Sequence, residues 1–297
     1  MALQIMIVRG LLSIICLSGI AAANSGPLTP DENRQLQESC GNLTLPRTSK
    51  DWRGVPIDQS KIVDETYLVT VRPRGTGRFP VSPGFLISPR HVMTSAQVVI
   101  ADDKRTWRVN GKPVENCCSI KDRKHGRRSD VPREVLDTLE LWDPVKPLGV
   151  EIVKARLFYL CIRNNENAVP LLLEISQVSP TRKLPCFIDE YYSNNYHYYD
   201  WAHIYSMGWN GWEHRELQLL KKSHPTYFWV QGYKVTGSDR GGPLVKIYQG
   251  GRSYVIGVKE SDYNDSGSPG MYFYHLGTFQ QEICEFSGVC WISKPDQ

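Results

Sequence analysis

Short runs of alternating apolar and polar residues, separated by glycine and proline, dominate the chain. Residues 67–71 alternate in this way, and a loop rich in proline, glycine and arginine follows them. A period of two residues is typical of a strand with one buried face, and clusters of glycine and proline mark the turns between strands. Further runs of strand character lie at residues 157–162, 201–207, 218–235, 254–258 and 269–274. The pattern therefore predicts an all-β fold class.

Two segments near the chain ends carry helix signals instead. Thr29 and Glu32 have the spacing of a capping box, in which each side chain accepts a hydrogen bond from the other residue's backbone N–H. Good helix formers follow, so we predict a short exposed helix that ends near residue 40. Thr278 and Gln281 have the same spacing and predict a carboxy-terminal helix.

Composition places the chain among ordinary globular proteins. Its 297 residues are 41% hydrophobic, enough for one large all-β domain or two small ones. The formal net charge of +4 is mild, so a nucleic-acid partner is not indicated. His197 and His203 match no strong metal-ligand spacing, and no motif implies a cofactor. We therefore predict neither a metal nor a cofactor.

The first 23 residues have the features of a secretory signal peptide. Arg9 supplies a positive charge, residues 11–17 begin an apolar run, and three alanines at 21–23 offer a cleavage site before Asn24. This run is short for a membrane-spanning helix, and no later stretch is long and apolar enough to span a bilayer. We therefore predict that the leader is removed and that the mature protein is soluble, secreted and extracellular.

Export would permit disulfides and glycosylation. Of the eight cysteines, Cys16 lies in the leader, which leaves an odd number, so at least one thiol is free or pairs with another chain. The mature cysteines are Cys40, Cys117, Cys118, Cys161, Cys186, Cys284 and Cys290. The last two are close enough for a local bridge. Cys161 lies in an apolar run and can bridge to Cys117 or Cys118. Asn42 and Asn264 each begin a glycosylation sequon.

Two polar segments each allow two interpretations. The basic run at residues 121–128 fits a solvated loop, the usual role of a charge run, or a site for a sulfated glycan, an acidic partner or a processing enzyme. Residues 190–201 are rich in tyrosine and polar groups. This segment fits a loop whose rings pack on the surface, or a contact patch for another protein, because tyrosine gives a large contact area at low entropic cost.

The stretch at residues 236–245 carries the first resemblance to a known family. It reads Thr-Gly-Ser-Asp-Arg-Gly-Gly-Pro-Leu-Val. It resembles the nucleophile loop of trypsin-like serine proteases of the chymotrypsin fold, Gly-Asp-Ser-Gly-Gly-Pro-Leu. Arg240 occupies the serine position, and a one-residue insertion would put Asp239 there instead. A guanidinium stays protonated and only donates hydrogen bonds, so Arg240 cannot attack a carbonyl.

A second resemblance covers residues 84–97, which are similar to the family's strand and turn ending in Thr-Ala-Ala-His-Cys. Gln97 takes the position of the catalytic histidine, and an amide cannot exchange a proton near neutral pH. Ser82 and Val98 take the positions of the cysteine pair that brackets this loop in the family. His91 lies on the preceding strand, where we expect a structural or surface role.

The third resemblance is the strand at residues 165–175, which puts Val169 at the position of the orienting aspartate. A shift of two or three residues would offer Asn167 or Glu166 instead. The resemblance thus implies a degenerate triad of Gln97, Val169 and Arg240. Removing a triad lowers the rate of such enzymes by about four to six orders of magnitude.

The resemblance also implies roles for other residues of the cleft. Ser238 corresponds to the oxyanion-hole glycine, and Lys234 corresponds to the base of the specificity pocket, where it would repel basic side chains. Lys234 and Arg240 place two cations beside Asp239 in one concavity. These charges favour an anionic or carboxylate-bearing ligand over a basic peptide. The alternative is that Arg240 pairs with Asp239 or another carboxylate and fills the cleft.

The family resemblance implies two antiparallel β-barrels with a short amino-terminal helix and a carboxy-terminal helix. The expected organisation is a leader at 1–23, an extension at 24–61, a first barrel at 62–188 and a second barrel at 189–297. A bridge between Cys40 and Cys186 is implied. Cleavage after Lys61 would free Ile62 to pair with Asp239. The residues from Leu28 to Gly41 also resemble the start of a nematode-expanded branch of the family.

The function that follows is that of a secreted serine protease homologue that no longer cleaves and acts as a binding or regulatory protein. Its expected partner is a protein or an anionic ligand, in a class that includes proteases and their substrates. The alternative is an active hydrolase with relocated groups, such as Ser238 with His91 or a histidine of the 190–201 loop.

Overall fold

The computed structural model describes residues 25–43, 55–56, 67–75, 81–101, 106–114, 128–162, 165–179, 182–187, 201–208, 211–224, 227–231, 240–248, 250–265 and 268–291. Strands dominate these residues, and they form two sheets that are antiparallel except for the short parallel pairing of residues 186–187 with residues 254–255. The predicted all-β class is therefore confirmed. The first strand, β1 (Val55–Pro56), pairs with the second sheet, although it lies ahead of the first sheet in the chain.

The first sheet curls into a half-barrel. Its seven strands are β2 (Leu68–Pro73), β3 (Ser82–Ser88), β4 (His91–Ser95), β5 (Arg128–Asp130), β6 (Leu139–Trp142), β7 (Ile152–Ile162) and β8 (Asn165–Ile175). Their spatial order is β5-β7-β8-β4-β3-β2-β6. Every residue of β3 and β4 is buried, because these central strands have the core on one side and other parts of the protein on the other.

The second sheet closes into a six-stranded barrel. Its later strands are β9 (Cys186–Phe187), β10 (Trp201–Gly208), β11 (Gly211–His224), β12 (Tyr227–Gln231), β13 (Pro243–Ile247), β14 (Ser253–Asp265) and β15 (Ser268–His275). The order β11-β10-β13-β14-β15-β12 closes because β12 also pairs with β11. The two-barrel architecture expected from the resemblance is confirmed, with the first barrel curled rather than closed.

In the described part of the chain, three α-helices lie outside the sheets: α1 (Pro30–Ser39), α2 (Arg133–Leu136) and α3 (Gln280–Ser287). The predicted amino-terminal capping box is confirmed, since Thr29 N donates to Glu32 Oε2 at 2.7 Å and Glu32 N donates to Thr29 Oγ1 at 3.2 Å. The carboxy-terminal helix is also confirmed, but it starts differently. A 3-10 turn, Leu276–Phe279, precedes it, and Phe279 provides no side-chain cap.

Two predicted disulfides are present. Cys40 bonds to Cys186 and ties the end of α1 to β9, and Cys284 bonds to Cys290 across the end of α3. Cys117 and Cys118 lie outside the described residues, as does the side chain of Cys161. The predicted bridge among them remains a prediction.

The amino-terminal segment is packed against the end of the chain and against the first sheet, at what we call the terminal interface (residues 27–41 with Arg90 and 284–290). Leu28 N donates to Ser287 O at 2.7 Å. The Asn33 amide exchanges two hydrogen bonds with the backbone of Cys290, at 2.8 and 3.1 Å. These contacts explain why the helix predicted to be exposed buries Asn33 and Leu36.

Several predicted features lie outside the described residues. They are the leader, the Lys61 cleavage site, residues 121–127 of the basic run and residues 190–200 of the tyrosine-rich loop. They remain predictions, as do the domain boundaries. Asn42 is described and exposed, whereas only the backbone of Asn264 is described. Within the described ranges, no helix has the length and hydropathy needed to cross a membrane.

Candidate functional site

Two residues from the sequence motifs meet where the two sheets pack together. Gln97 lies in the 3-10 turn Ala96–Val98 that follows β4, and Arg240 lies three residues ahead of β13. The Gln97 Nε2 atom is 3.4 Å from the backbone oxygen of Arg240, to which it donates a hydrogen bond. These residues are separated by 143 positions in the sequence. We call the contact of residues 82–83 and 94–97 with residues 240–242 the inter-sheet interface.

Serine and threonine hydroxyls build this interface on the side of the first sheet. The buried Ser82 hydroxyl donates to the backbone oxygen of Arg240, and Gln97 Nε2 lies 3.4 Å from the same hydroxyl. The Thr94 hydroxyl donates to Pro83 O at 2.6 Å and lies 3.2 Å from Ser82 Oγ. Ser82 therefore connects the two sheets by a hydrogen bond, at a position where the trypsin-like pattern has a cysteine.

Gly241 fixes the position of the turn that carries Arg240. Its φ of +105° lies in a region that favours glycine, and a Cβ atom there would be 2.3 Å from Pro83 O and 2.7 Å from Ser95 N. On the other side, Gly241 N donates to Lys259 O at 2.8 Å, and Lys259 N donates to Gly242 O at 2.9 Å. The backbone beside Arg240 is therefore held by both sheets.

The Arg240 side chain lies in a distinct electrostatic environment. It is half-buried, and its guanidinium makes no hydrogen bond or ion pair with the residues that the structure describes. Burial and then the charge of Glu260 raise the pKa of Tyr274 well above its ordinary value, and the charge of Arg240 opposes this rise. The Tyr227 ring packs against Tyr274, with ring centroids 4.9 Å apart. A cation, a carboxylate and two phenols therefore lie near one another.

The strand β8 brings Val169 to the same region. In the register between β4 and β8, Ser95 lies opposite Pro170. Val169 precedes Pro170, so its backbone lies beside the turn that carries Gln97. Its side chain is outside the described part of the structure. Lys234, Ser238 and Asp239 are also outside it, so the pocket base and the oxyanion position remain predictions.

His91 lies in the core rather than in the inter-sheet interface. Its side chain is fully buried, Nδ1 is 2.7 Å from Ser88 Oγ, and its ring centroid is 6.3 Å from that of Phe286 in α3. Burial, assisted by the charge of Arg90, lowers the pKa of His91 from 6.5 to about 3. This histidine is therefore neutral at physiological pH and has no access to a substrate, in line with the structural role expected for it.

A second buried polar pair was not recognised in the sequence. His203 Nδ1 on β10 and His214 Nε2 on β11 are 3.0 Å apart, and the Tyr205 ring is 4.7 Å from that of His214. Burial lowers the pKa of both histidines, that of His214 to about 3. No third ligand joins them to form a metal site within the described ranges. The signal that could have revealed them is the hairpin register between β10 and β11.

Charged groups around two concavities of the described structure are largely matched. One cavity, of about 360 Å³, lies beneath α1, where the two guanidinium nitrogens of Arg90 each donate to a Glu32 oxygen at 2.9 Å. The other, of about 710 Å³, has the pairs Lys112–Glu134 and Arg156–Asp130 in its lining, at 3.2 and 2.7 Å. These pairings give neither cavity an unmatched charge of the kind found at Arg240.

A half-barrel and a closed barrel, followed by a carboxy-terminal helix, are consistent with the fold of the trypsin-like protease family. A family model described as the nematode trypsin-6-like family matches residues 10–290 of this chain. Because the match spans nearly all of the sequence, the protein belongs to the nematode trypsin-6-like family, and the predicted resemblance is confirmed. No curated protein matches the chain.

Proposed function

We propose that this protein is a secreted, non-catalytic member of the trypsin-like family that binds a ligand without cleaving it. The observation that carries the proposal is the contact between Gln97 and Arg240 at 3.4 Å. Nucleophilic catalysis needs a hydroxyl or thiol within hydrogen-bond reach of a proton-accepting base. This contact instead joins an amide to the backbone oxygen of an arginine, and neither side chain can perform either role.

The buried histidines give little support to the alternative of a relocated active site. His91 is enclosed and hydrogen-bonded to Ser88, and His203 is almost fully buried against His214. A general base must reach both the nucleophile and the substrate, which these rings cannot do from the core. Of the partners proposed for Ser238, the hydroxyl nearest in sequence to Arg240, this leaves a histidine of the tyrosine-rich loop, where His197 lies.

Secretion agrees with the disulfide chemistry. The Cys40–Cys186 and Cys284–Cys290 bridges are typical of oxidising, extracellular compartments. They support the predicted leader and hence a partner outside the cell, either a protein or an anionic ligand. A catalytically inactive homologue in that setting can engage proteases or their substrates as a regulator.

A fluorophosphonate probe for serine hydrolases tests the absence of catalysis. We expect no labelling of the purified full chain, before or after cleavage at Lys61, because no activated hydroxyl is present. Active trypsin in the same sample provides the positive control. Labelling of the wild-type protein that disappears in a Ser238→Ala variant would establish the hydrolase alternative and refute this proposal.

A further inference from the structure

Arg240 differs from the other arginines of the described structure in having no side-chain partner among the described residues. Twelve arginines lie in the described ranges, and eleven of them form a hydrogen bond or an ion pair with a carboxylate or a backbone oxygen of the chain: Arg34, Arg72, Arg74, Arg90, Arg108, Arg128, Arg133, Arg156, Arg182, Arg215 and Arg252. Arg240 makes no such contact with a described residue, although it is half-buried. A partly desolvated guanidinium without a partner has lost hydration that an anion can replace.

The backbone that carries this cation is ordered before any ligand arrives. Ser82 and Gln97 both donate to the Arg240 backbone oxygen, and the next residue, Gly241, fits only as glycine between the two sheets. A ligand would therefore have to order the side chain of Arg240 but not the backbone of residues 240–242. This preorganisation lowers the entropic cost of binding.

The charge of Glu260 near Arg240 favours a singly charged anion over a doubly charged one. Glu260 follows Lys259, whose backbone is hydrogen-bonded to Gly241 and Gly242, and Glu260 and Arg240 both act on the Tyr274 hydroxyl, so the negative charge of Glu260 lies in the same region as the guanidinium. A phosphate dianion would be repelled by Glu260 more strongly than a carboxylate with a single charge.

We propose that the Arg240 guanidinium binds the carboxylate of a peptide at the inter-sheet interface. The planar fork of arginine matches a carboxylate with two parallel hydrogen bonds. The inference rests on the proposed function, since it places a ligand group where a protease would hold its nucleophile. The carboxylate belongs either to the carboxy terminus of a chain or to an acidic side chain, and the experiment below separates these two sources.

The test uses pools of N-acetylated hexapeptides of mixed sequence, incubated with the immobilised full chain and quantified by mass spectrometry. One pool has a free terminal carboxylate and no acidic side chains, a second is its terminal amide, and a third is an amide pool that contains glutamate. We expect at least one carboxylate pool to be retained about tenfold more than the neutral amide pool, because hydrogen bonds between charged groups are worth roughly this factor. Retention should decrease with added salt.

Two variants test whether the Arg240 guanidinium is the group that retains the carboxylate pools. Arg240→Gln should abolish the preference for the carboxylate pools. Arg34→Gln, which removes an exposed arginine paired with Asp31 on α1, is the matched control and should keep the preference. Unfolding by urea, measured for both variants, checks that each remains folded. Inorganic phosphate at the same ionic strength should displace the peptides no better than chloride.

Equal retention of all three pools, or an unchanged preference in Arg240→Gln, would refute the inference. Displacement by phosphate more efficient than by acetate would overturn the choice of a carboxylate. Failure here is distinct from failure of the proposed function. If the fluorophosphonate probe labels the protein and the protein still prefers the carboxylate pools, only the proposed lack of catalysis is wrong. If the probe does not label the protein and all pools are retained equally, only the proposed carboxylate site is wrong.

Discussion

The terminal interface and the inter-sheet interface are built with similar parts but differ in their charges. Each contains a glycine with positive φ whose Cβ would overlap backbone atoms, Gly288 against Leu28 and Gly241 against Pro83. Each also contains an arginine. At the terminal interface, Arg90 is almost fully buried and forms two hydrogen bonds with Glu32. At the inter-sheet interface, Arg240 is half-buried and has no partner among the described residues.

This difference separates a structural contact from a binding surface. A buried charge is retained at low cost only where a partner compensates it, as Glu32 does for Arg90. The unpartnered Arg240 adds little to folding, yet its backbone is held as firmly as that of the terminal interface. Rigid support for an uncompensated charge is what a preorganised ligand site requires. Three predictions test the comparison, from the largest expected effect to the smallest.

The two glycines should be equally necessary for folding. We expect Gly241→Ala and Gly288→Ala each to lower the free energy of unfolding by about 4 kcal/mol or more, because a Cβ would lie 2.3 Å from a backbone oxygen in both places. Gly75→Ala is the matched control, since Gly75 has a φ of +73° but open space around it. It should cost only about 1 kcal/mol, the strain of the left-handed region alone. Urea unfolding measures all three, and a loss at Gly241 as small as that at Gly75 would contradict the tight packing.

Mild acid should weaken the core and the terminal interface through buried histidines. In the folded protein His91 and His214 titrate near pH 3, whereas in the unfolded chain they titrate near pH 6.5. Below pH 6.5 the unfolded chain therefore binds more protons, and the free energy of unfolding decreases as the pH falls. From pH 7.5 to 5.5 we expect the two rings together to remove about 3 kcal/mol.

A variant without a titrating side chain at position 91 isolates the contribution of His91, in the first sheet, to the pH dependence of the free energy of unfolding. His91→Gln keeps a side chain that can hydrogen-bond to Ser88 but cannot take up a proton in this range. Between pH 7.5 and 5.5 its free energy of unfolding should therefore decrease by about 1.4 kcal/mol less than that of the wild-type protein, as measured by urea unfolding. The same pH dependence in both proteins would show that His91 titrates normally when folded.

The two arginines should differ in their effect on stability. Arg90→Met should lower the free energy of unfolding by about 2 kcal/mol, because it removes two charged hydrogen bonds and leaves Glu32 only partly exposed to water. Arg240→Met should change it by less than about 0.5 kcal/mol. Thermal and urea unfolding check both. A large loss for Arg240→Met would indicate that Arg240 pairs with a carboxylate such as Asp239 and fills the cleft.

Local patterns in the sequence were sufficient for much of the fold. The alternation in β2, the capping box of Thr29 and Glu32, and the spacing of Cys284 and Cys290 all act between residues close in the chain. Their energetics do not depend on distant segments, so they can be read before the fold is known. The positions of Gln97 and Arg240 were also found in the sequence, because each lies within a motif with a fixed order of residues.

The tertiary structure alone decided which distant residues meet. It placed the Ser82 hydroxyl on the Arg240 backbone, enclosed His91 under α3, and paired His203 with His214. It also left Arg240 without a described partner, while Arg90, in the turn between β3 and β4 and far from α1 in the sequence, received Glu32. Such contacts depend on how the two sheets curl and pack against each other, and no period or spacing in the chain encodes that geometry.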